Sequence, residues 1–244
     1  PLRSAAAWTG GRLAPPSIED SADPPPAASP DELRREVERL RAAVAGLTAQ
    51  LDELRRLNAD RELLGDARRY SRPFRVIGAD ASTRQSLSLR ASPDEGIAVG
   101  QAVLYRDMLV GRVSSAGLTA AQVRLLSDPQ SRVVGAVGRF VEDERGQIAF
   151  TRLAVSPPLV EGAGRDLMRI GNLTAREAAD QGLRPGDWVV LDDRSDWPPA
   201  VHGYPIGRIE SIAPQRKNPL FVEIAVRPRS SLLQLREVMV MTGQ

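Results

Sequence analysis

The residues with the most potential for chemistry surround His202, the only histidine of the chain. Ser195, Asp193 and Asp196 lie shortly before it, so this stretch contains the three residue types of a hydrolytic triad. A reactive serine must be held by a base that is itself held by a third group, and no Gly-x-Ser-x-Gly elbow presents Ser195 in that way. We therefore interpret His202 as a surface residue of a loop and predict no catalytic residue.

Metal and cofactor chemistry is not predicted either. The stretch from Asp192 to Asp196 lacks the alternating carboxylates and the glycine of a calcium loop, and Arg194 would repel a cation. The chain has no cysteine, which excludes disulfides, thiolate metal sites and a cysteine nucleophile. It also has no glycine-rich phosphate loop followed by lysine and no dinucleotide fingerprint. We therefore expect no metal, no cofactor and no enzymatic activity.

A heptad repeat of apolar residues runs from Ser29 to about Tyr70 and predicts a long helix with a partner helix. The β-branched a positions and leucine d positions favour a parallel two-stranded coiled coil, in which one polar a residue sets the register. Ser29, Pro30 and Glu32 form a capping box that predicts a sharp start of the helix. The predicted dimer interface consists of Leu33, Val37, Leu40, Val44, Leu47, Leu51, Leu54 and Asn58. The alternative is a single amphipathic helix that folds back on its own domain.

Composition favours small β-domains for the rest of the chain. The 244 residues are 42% hydrophobic but only 4% aromatic, and they include 20 glycines and 19 prolines. Such a core consists mostly of Val, Leu, Ile and Ala, and it is interrupted by many turns. The formal net charge is only +2, so no nucleic-acid partner is implied. No apolar run of about 18 residues could span a membrane, although an anchor could precede Pro1.

The predicted order of domains follows from these composition changes. Residues 1–28 are a disordered, proline-rich leader, and residues 29–70 form the coiled-coil helix. The helix stops before Pro73, which disfavours helical backbone at the preceding residue. Residues 71–131 are predicted to form a first β-barrel module, to which a C-terminal strand at about 236–244 could return. Residues 132–235 are predicted to form a second module, and within it Thr174 and Glu177 can cap a short helix.

An internal repeat indicates that the two β-modules are related. The segment from Asp94 to Leu104 recurs as the segment from Asp180 to Val190, including both of its glycines. Val110-Gly111-Arg112-Val113 returns as Ile206-Gly207-Arg208-Ile209, and the segment from Val123 to Pro129 returns more loosely from Val222 to Pro228. Because the three matches keep their order, we predict two similar barrels. The alternative is convergent turn chemistry, since Gly-Asp before a strand is common.

At these residues the chain resembles the family of the rod shape-determining protein MreC. The resemblance covers about residues 31–242, and it depends on the number, order and spacing of motifs of which none is specific alone. The sequence departs from the family pattern after Val190, where Leu191-Asp192-Asp193 stands in place of a Thr-Ser-Gly turn. The motifs that carry the resemblance are Val76-Ile77-Gly78, Ser88-Leu89-Arg90, Leu109 to Val113, Leu125 to Val133, Pro185 to Val190, Tyr204 to Ile209, and Val226-Arg227-Pro228 through Val240.

The resemblance implies a non-enzymatic scaffold of the bacterial cell-elongation complex, which builds peptidoglycan and maintains rod shape. It implies a location on the extracytoplasmic, periplasmic face of the inner membrane, with a membrane helix before Pro1. It also implies a homodimer that can self-associate further. The implied partners are MreD, the elongation-specific penicillin-binding transpeptidase and, through the complex, MreB.

Two other function classes remain open from the residues alone. A coiled coil followed by small barrels also describes a periplasmic adaptor subunit of an export pump. Such adaptors insert a helical hairpin between two halves of a domain, whereas this helix is a single one at the start. The third class is a degraded serine-protease-like barrel, which His202 alone would suggest.

Overall fold

The computed structural model describes residues 30–62, 65–82, 84–142 and 148–242. The predicted leader, the Ser29 cap and the side chain of Leu33 lie outside the described residues. The chain divides after Asp52 into two units, so that the second unit begins at Glu53.

The helix α1 runs from Pro30 to Glu62. Its sequence is rich in Leu, Ala, Arg and Glu, which favour helix, and acidic residues in the first turn complement the helix dipole. The helix is shorter than predicted, because the chain changes at Gly65–Tyr70 to a 3₁₀ helix. Glycine is the poorest helix former apart from proline, and Gly65 stands where the α-helical segment is replaced.

The described residues of the second unit include thirteen strands and a short helix, α2. The strands of the first half are β1 (Ser71–Ala81), β2 (Gln85–Arg90), β3 (Ala102–Tyr105), β4 (Met108–Ala116), β5 (Ala120–Leu125) and β6 (Arg132–Glu142). Those of the second half are β7 (Ile148–Arg152), β8 (Leu159–Gly164), β9 (Leu167–Thr174), β10 (Trp188–Leu191), β11 (Pro205–Pro214), β12 (Phe221–Arg227) and β13 (Glu237–Met241), with α2 at Ala175–Asp180 between β9 and β10.

These strands form two closed six-stranded barrels, which confirms the predicted fold class. The first barrel has the strand order β1-β13-β3-β4-β5-β2. The second has the order β6-β10-β11-β12-β9-β8 and closes through pairing of β8 with β6. β7 lies outside this ring and pairs with β6.

The two barrels exchange their closing strands. β6 directly follows the first five strands of the first barrel, yet it pairs with β8 and β10 of the second. β13 directly follows the second barrel, yet it pairs with β1 and β3 of the first. The chain is therefore a tandem repeat in which each copy supplies the sixth strand of the other copy's barrel.

Buried aliphatic side chains fill both barrels, as alternation in a half-buried strand requires. In the first barrel, Leu87, Leu89 and Val123 are fully buried, and in the second Ile170, Ile206 and Ile224 are fully buried. The outward faces of β3 and β13 are apolar too, and their side chains pack into the hydrophobic core of the second barrel. The two barrels thus share a continuous apolar contact.

The internal repeat is confirmed at the level of hydrogen bonds. Gly100 and Gly186 both have positive φ, at 93° and 95°. The N–H of Gly100 donates to the Val113 carbonyl at 2.9 Å, and the N–H of Gly186 donates to the Ile209 carbonyl at 2.8 Å. Both glycines therefore make the same tight entry to a strand.

The third and loosest segment of the repeat was aligned wrongly by four residues. Arg112 on β4 lies opposite Arg124, and its counterpart Arg208 on β11 lies opposite Arg227. Arg124 thus corresponds to Arg227 rather than to Glu223. The shared valine-rich pattern hid the shift, because a displacement by an even number of residues keeps the same side chains inside.

The predicted cap of α2 is confirmed. The Thr174 hydroxyl accepts a hydrogen bond from the Glu177 N–H at 3.1 Å, and the Glu177 carboxylate accepts one from the Thr174 N–H at 3.0 Å. The Ser156 hydroxyl also donates to this carboxylate. Hydrogen bonds from Ser156 and then from Thr174 lower the pKa of Glu177 to about 2.

The repeat generates a prediction about close packing. A Cβ on Gly111 would lie 2.0 Å from the Arg124 carbonyl oxygen, and one on Gly207 would lie 2.6 Å from the Arg227 carbonyl oxygen. Because backbone must shift to make room, Gly111→Ala and Gly207→Ala should each reduce the free energy of unfolding by about 3 kcal/mol in urea titrations. Gly78→Ala is the matched control, since its Cβ would lie 3.7 Å from the nearest atom. Equal stability of the Gly78 and Gly111 variants would contradict the prediction.

The α2 cap generates a prediction about acid stability. The folded-state pKa of Glu177 lies below its ordinary value of 4.5, so its contribution to stability is complete above about pH 4.5 and is lost as the pH falls toward about 2. The melting temperature of Glu177→Gln should therefore be lower than that of the unchanged protein near neutral pH, and the difference should shrink steadily as the pH falls from about 4.5 to about 2. A difference that stays constant from neutral pH to about pH 2 would show that the cap does not depend on the carboxylate charge.

Candidate contact surfaces

The loop around His202 does not assemble a catalytic triad. The Ser195 hydroxyl donates to Asp193 Oδ1 at 2.9 Å and makes no hydrogen bond to His202 among the described residues. His202 Nε2 lies 3.1 Å from the carbonyl oxygens of both Asp193 and Trp197. The imidazole therefore contacts the backbone of its own loop instead of a nucleophile.

Asp193 has a structural role in this loop. It is buried, and its carboxylate accepts hydrogen bonds from the N–H groups of Val134 on β6 and of Asp196. Burial alone would raise the pKa of Asp193, but the hydrogen bonds from Val134, Ser195 and Asp196 together lower it. The carboxylate thus ties the loop between β10 and β11 to the second barrel. Over the described ranges, no group of three or more metal-ligating side chains is present.

The predicted dimer interface lies on an exposed face of α1. Val37, Leu40 and Leu47 are 44%, 53% and 60% exposed, and Val44, Leu51 and Leu54 are also exposed. Asn58 is exposed, and Leu57 beside it is half-buried. These residues therefore form one exposed row along α1. No described helix is both long enough and apolar enough to cross a membrane.

A second apolar region, which we call the aromatic surface, lies on the second barrel and consists of Phe140, Phe150 and Trp188. Phe140 and Phe150 are opposite each other on β6 and β7, with ring centroids 5.3 Å apart. Phe140 also meets Trp188 of β10 edge-to-face at 5.4 Å. Such aromatic pairs are more favourable than their buried area alone suggests. The surface is therefore pre-arranged rather than assembled from mobile side chains.

Neighbouring residues fix and extend the aromatic surface. The guanidinium of Arg208 lies 4.1 Å from the centroid of Trp188, within cation–π range. Asp187, the residue before Trp188, is buried and receives hydrogen bonds from Arg139 at 2.7 and 3.1 Å. On the side toward β7, Ile148 remains 72% exposed.

The strand β7 gives the aromatic surface an open edge. It pairs with the end of β6 beyond the residues that pair with β8, and in the described part of the chain no strand pairs with its other side. An unpaired edge is a template for a further strand. The aromatic surface thus combines exposed apolar side chains with free backbone groups.

Sequence reasoning found this region only in part. Trp188, Trp197 and Tyr204 are aromatic residues that the sequence alone could not assign to core or surface. The structure buries Trp197, packs Tyr204 against the core of the second barrel and leaves Trp188 half-buried in the aromatic surface. Nothing in the sequence indicates that Trp188 joins Phe140 and Phe150, because these residues are far apart along the chain.

The described residues form a helix followed by two closed barrels, with exposed apolar residues on α1 and on the second barrel. The model of the family "Rod shape-determining protein MreC, barrel core" matches residues 76–242. The chain belongs to this family, which confirms the resemblance found in the sequence. The family is one of structural, shape-determining proteins.

The chain is similar to individual MreC proteins. The cell shape-determining protein MreC of Cereibacter sphaeroides is 32% identical over 164 residues, which are 65% of this chain and 52% of that protein. The chain therefore spans about half the length of that relative. A solved MreC structure is 20% identical and superposes with a TM-score of 0.59 over 80% of this chain and 98% of its own. A complex between penicillin-binding protein PBP2 and MreC from Helicobacter pylori is more distant, at 9% identity and a TM-score of 0.46 over 71% of this chain and 98% of that one.

Proposed function

We propose that the chain is a non-enzymatic scaffold of the cell-elongation complex that dimerises through α1. Its place is the extracytoplasmic face of the inner membrane, with the anchor that the resemblance puts before Pro1. Family membership supports the shape-determining role. The observation that carries the dimer is the exposed row of apolar residues on α1.

The exposed row favours a second copy of the chain as its partner. Complete burial of a Leu or Val side chain contributes about 1.5–3 kcal/mol, and the heptad spacing lets one helix cover the same row on another. Val37 and Val44 at a positions, with leucine at d, favour a parallel pair. Glu36 could face Arg41 of the partner chain in this arrangement. In the single chain it forms an exposed ion pair with Arg39 at 2.8 Å, and such surface pairs contribute little either way.

The elongation transpeptidase is the partner that we assign to the aromatic surface. Interface anchors are enriched in aromatic residues and arginine, which this surface combines around Trp188. The open edge of β7 suits an extended segment of the transpeptidase, which would add its backbone to the sheet. MreD and, through the complex, MreB are further proposed partners, for which the family resemblance is the support.

The adaptor function receives no support from a particular residue or contact. Adaptors place a helical hairpin between two halves of a domain, whereas α1 precedes both barrels. The family assignment favours the scaffold as well.

The dimer can be tested by sedimentation of the purified chain. The unchanged chain should sediment as a dimer at micromolar concentration, and Leu40→Asn with Leu47→Asn should convert it to a monomer. Ala42→Asn with Ala49→Asn is the matched control, because it introduces the same residue at outward-facing f positions and should leave the dimer intact. A monomer at high micromolar concentration with Leu40 and Leu47 unchanged would refute the dimer.

The aromatic surface can be tested by affinity for the soluble domain of the elongation transpeptidase. Ile148→Asp puts a charge at the open edge and should weaken binding at least tenfold, or about 1.4 kcal/mol, in calorimetric titrations. Leu220→Asp is matched to it, since Leu220 is 73% exposed and Ile148 is 72% exposed, and it lies on the same barrel away from β7. If both variants weaken binding equally and their melting temperatures are unchanged, the aromatic surface is not part of the interface.

A further inference from the structure

A small cleft of about 110 Å³ lies where the first barrel meets the loop that carries Trp197. Three arginines line it: Arg112 on β4, Arg124 on β5 and Arg132 on β6. Arg112 and Arg124 lie directly opposite each other in the ladder. Like charges in this position destabilise a sheet. The volume is that of a few water molecules, so the cleft can admit a single small anionic group.

The charge of Arg112 is held in place but is not neutralised. Its guanidinium lies 4.2 Å from the centroid of Trp197, and Nη2 donates to the carbonyl of Asp196. Nε is buried without a hydrogen-bond acceptor among the described residues. A buried donor without an acceptor costs free energy, so Arg112 in this position lowers the stability of the fold.

Arg124 is also uncompensated. Its side chain is exposed, and it makes no ion pair and no side-chain hydrogen bond with any residue that the structure describes. The other charged residues of the cleft do not neutralise Arg112 or Arg124. Arg132 pairs with Glu161 at 3.1 Å, and Asp196 lines the cleft without an ion pair to either Arg112 or Arg124.

The second barrel contains the same arginine pair together with a carboxylate that the first barrel lacks. Arg208 and Arg227 are opposite each other there, and Arg208 stacks on Trp188 as Arg112 stacks on Trp197. The Glu210 carboxylate receives hydrogen bonds from Arg227 Nε at 2.8 Å and from Nη2 at 3.1 Å. The two-residue offset from Arg208 puts Glu210 beside this pair, so the second barrel supplies its own neutralising group.

In the first barrel the position of Glu210 is occupied by Ser114. Ser114 lies two residues after Arg112, and both barrels have a register shift at this point of the strand. The Ser114 hydroxyl donates to the carbonyl of Gln122 at 3.2 Å. The same arginine pair is therefore present twice, once with an internal carboxylate and once without it.

We propose that the cleft between Arg112 and Arg124 binds a carboxylate from an Asp or Glu side chain of a partner protein. This carboxylate takes the place that Glu210 occupies in the second barrel. A guanidinium fork matches a carboxylate through two parallel hydrogen bonds, as the bond pair from Arg227 to Glu210 demonstrates within the same chain. The site lies on the first barrel and does not include the aromatic surface.

Peptide titrations followed by the N–H signals of the arginine side chains test the proposal. The probe is acetyl-Gly-Glu-Gly-amide at constant ionic strength, with the neutral acetyl-Gly-Gln-Gly-amide and inorganic phosphate as comparisons. The Glu peptide should shift the Nε–H signals of Arg112 and Arg124, and Arg90→Gln, on the neighbouring strand β2, should leave these shifts unchanged. Arg124→Gln should weaken the response at least tenfold.

Exchange of the internal carboxylate gives the sharpest comparison. Ser114→Glu should abolish binding of the Glu peptide at Arg112 and Arg124, because the new side chain fills the site as Glu210 does. Glu210→Ser should create peptide-dependent shifts at Arg227. Melting temperatures establish that each variant is folded, and Arg124→Gln provides the test if Ser114→Glu is not. The proposal is overturned by equal shifts at all exposed arginines, by unchanged binding in folded Ser114→Glu, or by stronger binding of phosphate than of the Glu peptide.

Discussion

Each barrel is closed by a strand that belongs to the other copy of the repeat. A sheet of five strands has two open edges with unpaired backbone groups, and pairing them through a sixth strand removes both edges. β13 does this for the first barrel and β6 for the second. The first barrel is therefore not a contiguous segment, because β13 follows all the strands of the second barrel, whereas the second barrel is the contiguous stretch from β6 to β12.

The polar contacts near the crossover reinforce this coupling. Asp128, just before β6, is buried and accepts a hydrogen bond from the N–H of Gln85 at 2.7 Å. Asp166 of the second barrel accepts hydrogen bonds from Ser231 and Leu232, which lie on the way to β13. Both connections that carry an exchanged strand are therefore fixed by a carboxylate, and the surfaces on the two barrels keep a defined geometry.

Much of this fold could be predicted because it depends on local patterns. The heptad row on α1, the glycines at Gly100 and Gly186 and the Thr174–Glu177 cap each express a short-range rule that the residues carry by themselves. The end of α1 at Glu62 and the register of β12 could not be predicted, since a periodic pattern allows several endpoints and even shifts. The aromatic surface and the arginine cleft were not found either, because Trp188 and Trp197 meet their neighbours only after distant strands have paired.

The exchange of strands also sets an order of completion during synthesis. A ribosome extends the chain from its N-terminus, and domains generally fold as units in that order. Here β6 to β12 are all available before Glu237–Met241 has been made, while β1 and β3 still lack the strand between them. The barrel that begins first in the sequence is therefore the last of the two to become complete, and its edges at β1 and β3 stay unpaired until Glu237–Met241 emerges.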